Sequence, residues 1–242
     1  MMTYFLTSSP FMPDACLLNP ANGQIERMRA AIPNPCRALF VCSSPDRHEL
    51  TVGFGQDMRR AFEAAGFSFS DWQVLDGINA GDAERLVTNA ELLVFAGGHV
   101  PTQNAFFQSI GLQQLLKSYD GVIVGISAGS MNCCDPVYAQ PEEPGEAIDP
   151  AYRRFIPGLG VTSTMILPHY QMVKNNTVDG LHLFREITCT DSMGSVFYAL
   201  PDGSYLLGQD GRETIYGEAW RIADGVMQRV SAAGECFPIL SR

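Results

Sequence analysis

The first 126 residues alternate short apolar runs with stretches whose apolar residues recur at helical spacing. "YFLTSS", from Tyr4, and "RALFVCSS", from Arg37, are rich in aromatic and branched side chains and are closed by serines, which predicts buried strands. Between them "NGQIERMRAAI" carries the 3.6-residue period and stops at Pro33, so it reads as a helix. In "GFGQDMRRAFEAAGF" the side chains of Phe54, Met58, Ala61, Phe62 and Ala65 share one helical face, with Gly66 as the stop. "WQVLD" then predicts a strand, "NAGDAERLVTN" a helix, "ELLVFAGG" a strand, "TQNAFFQSIGLQQLLKSY" a helix and "GVIVGI" a strand. Runs that are apolar at every position suit strands buried on both faces. Strands alternating with helices predict an α/β fold, a mostly parallel sheet with helices on both faces.

The texture changes after Asp135. "DPVYAQPEEPGEAIDPAYRRFIPG" is dense in proline and acid and predicts a long surface loop. "GVTSTMIL" follows as a strand and "VDGLHLFREIT" as a helix. From Ser195 onward short strands are punctuated by PDG, QDG and ADG, the pattern of an antiparallel β-meander at the edge of the sheet. No repeat or low-complexity segment divides the chain, so residues 1–242 read as a single domain.

Composition narrows the function classes. A hydrophobic share of 46% and a charged share of 17% provide for a sizeable core. The formal net charge is −10 and no block of lysine or arginine occurs, which argues against a nucleic-acid partner. No apolar run reaches the length of a membrane span, and "MMTYFLTSSP" lacks the basic start of a signal peptide. The seven cysteines show neither CxxC pairs nor His–Cys ligand spacing. They predict reduced thiols in a cytoplasmic protein, with no metal and no cofactor.

The chemistry centres on "GVIVGISAGSMNCC", residues 121–134. A buried strand running into G-I-S-A-G matches a nucleophile elbow, a tight strand-to-helix turn that lifts a serine above the sheet. Gly125 and Gly129 remove side chains that would collide with neighbouring strands, and the Ala128 N–H faces the place where an oxyanion would form. A serine hydroxyl needs a base. Of the four histidines, His48 sits in a polar loop and His182 inside the "VDGLHLFREIT" helix. His169, in "MILPHY", ends a strand at the edge where sites of parallel sheets gather, and His99, after "VFAGG", is the reserve. Asp202, in "ALPDGSYLLG", is the leading candidate to orient the imidazole, with Asp135, Glu213 and Glu218 as alternatives. Gly98 is the candidate for the second oxyanion donor. His99, Asn104 and Asp135 are candidates for substrate contacts.

Taken in order, "VFAGGHVPTQNAFF", "GVIVGISAGSMN", "MILPHY" and "ALPDGSYLLG" resemble the peptidase E (α-aspartyl dipeptidase) and cyanophycinase family of serine peptidases. The resemblance implies a fold like the class I glutamine amidotransferases, with serine in place of their cysteine. It places the nucleophile at Ser127, the base at His169 and the acid at Asp202. Two departures stand out: aspartate where dipeptidases of the family often carry glutamate, and "GGHVPTQN" in place of GGG-N-T or GGDQ. The resemblance implies a small peptide substrate, a dipeptide with N-terminal aspartate, which calls for a cation such as Arg153, Arg154 or Arg212. A homodimer is allowed for. Other readings are an esterase, an amidase or a cyanophycinase-like hydrolase using the same serine, or a non-catalytic binding protein.

Overall fold

The computed structural model describes residues 2–240. The alternation in the first half produces β1 (Thr3–Thr7), α1 (Gln24–Ala31), β2 (Cys36–Val41), α2 (His48–Ala64), β3 (Phe69–Leu75), α3 (Ala83–Asn89), β4 (Leu92–Phe95), α4 (Val100–Ser109), α5 (Leu112–Leu116), β5 (Val122–Ile126) and α6 (Ala128–Met131). The remaining elements are β6 (Val137–Tyr138), β7 (Phe155–Ile156), β8 (Met165–Leu167), α7 (Tyr170–Val173), β9 (Thr177–Val178), β10 (Leu181–His182), β11 (Val196–Ala199), β12 (Tyr205–Gln209), β13 (Arg212–Tyr216), β14 (Ala219–Ala223), β15 (Val226–Ser231) and β16 (Cys236–Ile239).

The main sheet has eight strands in the order β16-β13-β12-β1-β5-β4-β2-β3. The five from β1 to β3 are parallel, and β12, β13 and β16 extend the β1 edge antiparallel. Alternate side chains of each parallel strand enter opposite cores. Leu39 and Val41 of β2 pack with Leu86, Phe107 and Leu112 from α3, α4 and α5. Ala38 and Phe40, one residue out of phase, pack with Met28 of α1 and with Met58 and Phe62 of α2. Period-two burial on both faces is why these runs are apolar throughout. No helix among the described residues is long and apolar enough to cross a membrane.

The expected elements are corrected in four places. The stretch from Thr102 to Tyr119 is two helices, because Gly111 takes φ +64° and turns the chain between them. "VDGLHLFREIT" is not one helix: Asp179 and Gly180 have positive φ, β9 pairs with β10, and the wider turn Leu183–Thr188 follows. In "GVTSTMIL" only Met165–Leu167 is strand, since the Thr162 and Thr164 hydroxyls bind the Glu213 carboxylate. The C-terminal strands do not form one meander. β12, β13 and β16 join the main sheet, whereas β11, β14 and β15 build a second sheet with β8, in the order β15-β14-β11-β8.

The Leu6↔Gly125 and Phe95↔Gly125 registers bring β1, β5 and β4 to an end at one level. The short α6 then packs tightly over that edge. A Cβ on Gly129 would sit 2.5 Å from the Phe95 carbonyl oxygen, and one on Gly125 would sit 2.8 Å from Ser130 Cα. The collision expected at Gly125 is thus with the following helix rather than with an adjacent strand. Gly129→Ala is expected to destabilise the protein by about 1–3 kcal/mol, because backbone must move to admit the methyl. Urea unfolding should show a lower midpoint at an unchanged slope.

Candidate active site

Because β1, β4 and β5 stop together, the residues that follow them share the carboxyl edge of the sheet: Ser8 after β1, Ala96 to Gly98 after β4, and Ser127 after β5. Ser127 has φ 51° and ψ −115°, a conformation that an L-residue holds only where its surroundings enforce it. Its N–H donates to the Thr7 and Ser8 carbonyls at 3.1 and 3.2 Å, while its carbonyl accepts from the Ser130 and Met131 N–H groups of α6. The Thr7 hydroxyl donates to the Gly125 carbonyl at 2.7 Å, and the Ser130 hydroxyl donates to the Thr7 carbonyl at 2.8 Å. The end of β1 therefore ties down both sides of the turn. On the other flank a Cβ on Gly97 would come within 3.3 Å of Ser127 Cβ. Among the described residues, the Gly98 and Ala128 N–H groups donate to no protein acceptor.

The second sheet supplies the partners. β8 and β11 are parallel neighbours, with Leu167 level with Ala199. Pro168–His169 leaves the first strand beside Leu200–Asp202 leaving the second. The chain then crosses to the main sheet as β12, whose first residue, Tyr205, pairs with Thr7. This crossing delivers Asp202 and His169 to the serine. His169 Nδ1 lies 2.8 Å from Asp202 Oδ1 and Nε2 lies 2.9 Å from Ser127 Oγ. A carboxylate can only accept, so Nδ1 carries the proton and Nε2 accepts from the Ser127 hydroxyl. The Ser8 hydroxyl accepts the His169 N–H at 2.7 Å and donates to Asp202 Oδ1 at 2.7 Å. The Asp202 N–H in turn donates to Gln171 Oε1 at 3.0 Å. Burial works to raise the Asp202 pKa, but hydrogen bonds from His169 and Ser8 and the nearby imidazole outweigh it and hold the carboxyl below its usual value.

Ser127, His169 and Gly98 line a cleft of about 150 Å³ that is closed by Gln140, Pro141 and Glu142. The proline-rich segment after Asp135 thus forms one wall. Several candidates lie elsewhere. Both nitrogens of His99 are occupied, Nε2 by Glu146 Oε1 at 2.9 Å and Nδ1 by Thr102 Oγ1 at 2.7 Å, so its ring clamps the loop to the start of α4. Asn104 is buried and donates to Asn132 Oδ1 and the Pro157 carbonyl, which makes it scaffold rather than a substrate contact. Asp135 accepts the Gly158 N–H and Glu218 accepts from Trp220 Nε1, while Glu213 binds the hydroxyls of Tyr4, Thr162 and Thr164. None of the three lines the cleft. His182 caps the turn after β10, accepting the Arg185 N–H, and His48 pairs with Asp76 at 2.6 Å. Among the described residues, His99, Glu143 and Glu146 form the one grouping with metal-ligand spacing, but His99 and Glu146 already bind each other there.

Sequence reasoning did not find Ser8, Gln171 or Glu142. For Ser8 a signal existed: β1 was expected to be a buried strand closed by serines, which puts a hydroxyl at the end of a strand. Gln171 and Glu142 carry no such mark, because a polar residue in a helix turn or acidic loop is ordinary.

Two solved structures share the architecture. A peptidase from an acI-B1 Actinobacterium aligns with TM-score 0.63 at 18% identity, covering 98% of this chain and 96% of its own. A putative peptidase E protein from Listeria monocytogenes EGD-e aligns with TM-score 0.58 at 16% identity, covering 96% of this chain and 100% of its own. At such identities the likeness concerns the fold. Comparison with curated proteins gives no match. The family model for Peptidase family S51 matches residues 5–216, nearly the whole chain, and so the protein belongs to that family of serine-type peptidases.

Proposed function

We propose that the protein hydrolyses short peptides through an acyl-enzyme formed on Ser127. The observation that carries this reading is the continuous hydrogen-bonded line from Ser127 Oγ through the His169 ring to Asp202. Ser127 Oγ attacks the peptide carbonyl carbon as its proton passes to His169 Nε2. The carbonyl oxygen becomes an oxyanion within reach of the Gly98 and Ala128 N–H groups. Collapse of the adduct breaks the C–N bond, and the imidazolium returns its proton to the leaving amine. Water then attacks the ester with the same base, which releases the acid and restores the serine. Asp202 keeps Nδ1 protonated and stabilises the imidazolium, and Ser8 positions both groups by bonding the His169 backbone and the Asp202 carboxylate.

The small volume of the cleft favours short chains. Preference for an N-terminal aspartate, implied by the sequence resemblance, would need a cation, and among the described residues neither arginine nor lysine lines the cleft. Arg154 is held by the Glu146 and Ala147 carbonyls and pairs with Asp191, whereas Arg212 lies on β13 in the main sheet. The charged wall residue is Glu142, which suits a substrate's α-amine better than a carboxylate.

Ser127→Ala is expected to leave the fold intact and to lower kcat by about 10³-fold or more on a dipeptide panel. It should also abolish labelling by a fluorophosphonate probe, whereas persistent turnover would exclude the serine. Ser8→Ala is expected to reduce kcat by about 10–100-fold with little change in KM, and Ser8→Thr should recover part of it.

The same Ser8→Ala change should raise the Asp202 pKa, read by carboxyl-carbon NMR, because one bond to the ionised form is lost. The native pKa is depressed, so ionised Asp202 adds stability above the ordinary carboxylate range, and this is lost as pH falls through the lowered value. In the variant that contribution should be smaller and its loss should be complete at a higher pH.

A further inference from the structure

A second recess, of about 430 Å³, adjoins the elbow. It shares no lining residue with the His169 cleft, yet the two meet at consecutive residues. Gly97 and Ile126 line the recess, and the next residue of each segment, Gly98 and Ser127, lines the cleft. Its walls are Phe11 and Met12 from the loop after β1, Phe40 of β2, and Phe54 and Met58 of α2. Among the described residues Asp14 and Asp57 are the carboxylates lining it, and no lysine or arginine does so.

The sequence pattern expects Phe54 in the core, on the same helical stripe as Met58 and Phe62. Instead it is 53% exposed, while Met58 is 6% exposed and Phe62 fully buried. The buried face of α2 is made by Thr51, Gly55, Met58, Ala61 and Phe62, with Gly55 close against Phe40 and Val74, and Phe54 stands beside that face at the rim of the recess. Met12, 41% exposed, faces the same hollow. Large apolar side chains around a concavity next to a reactive hydroxyl leave surface that a ligand would desolvate.

We propose that this recess receives a large apolar side chain of the peptide substrate, from a residue flanking the scissile bond. The proposal rests on the peptidase reading of Ser127 and adds its substrate class: short peptides with an aliphatic or aromatic residue at the cleaved bond. Asp14 opposes an acidic side chain in the same place, whereas Asp57 is already paired with Arg60. The occupant is argued from adjacency to the elbow, since Gly97 and Ile126, which line the recess, directly precede Gly98 and Ser127, which line the cleft.

The test has two arms that fail separately. In the first, calorimetry with the Ser127→Ala protein compares peptides in which alanine, leucine, phenylalanine or aspartate stands before or after the bond. Phenylalanine or leucine in one of the two positions should bind at least about tenfold more tightly than alanine, and aspartate more weakly. In Ser127→Ala/Phe54→Asp that ratio should fall by about tenfold or more, with Met12→Asp as an independent variant of the opposite wall. Equal affinity across both series, or a preference unmoved by Phe54→Asp and Met12→Asp, would overturn the proposal. In the second arm, wild-type kcat/KM on the same peptides reads the chemistry. Selective binding without any turnover would overturn the role of Ser127 while leaving the recess as the site of the apolar side chain.

Discussion

Ser127 can hold a positive φ only because the space around it has been emptied and its amide tied. Such a backbone costs on the order of 1–3 kcal/mol, so packing elsewhere must over-determine it. Its glycine neighbours act in different directions. Gly129 lets α6 settle on the carbonyls that end β4, Gly125 lets the same helix fold back over its own strand, and Gly97 leaves room beside the serine's Cβ. The end of β1 completes the restraint through the Thr7 and Ser8 carbonyls. The hydroxyl that faces the His169 ring is carried on a backbone fixed in this way.

The partners of the serine come from a different sheet, so their placement depends on the seam. β8 and β11 carry His169 and Asp202 side by side, and the turn from Pro201 to Ser204 hands the chain over to β12, next to β1. Ser8 spans that seam. With one hydroxyl it accepts from the His169 backbone and donates to Asp202, so main-sheet and second-sheet groups share a single oxygen. His169 itself has φ 57°, a conformation that histidine tolerates better than most residues, and this turns its ring back toward the elbow.

Much of this was legible in the sequence because burial on both faces leaves a clear signature. The apolar runs of β2, β4 and β5 and the glycine-fenced serine state their environment directly, and His169 is marked by its place at a strand end, whereas Asp202 was the leading one of four acids and was singled out by the resemblance. What escaped was set by partners distant in the chain. Glu213 gathers Thr162 and Thr164 away from a longer β8, and the C-terminal hairpins look alike in sequence although they divide between two sheets. Asn104 and His99 are polar residues near the glycine motif, yet their hydrogen bonds go to Asn132, Pro157 and Glu146. Phe54 obeys the helical period and still stands exposed at the rim of a recess.

The crossover between β11 and β12 carries a consequence for how the molecule loses competence. Asp202 rides on that connection, and the second sheet has four strands against eight in the main one. Opening of the smaller module alone would separate imidazole and carboxylate from a hydroxyl that stays rigidly mounted. Were the smaller sheet to open first, inactivation would be a sub-global event, set by the cohesion of β8, β11, β14 and β15, ahead of melting of the body that holds the serine.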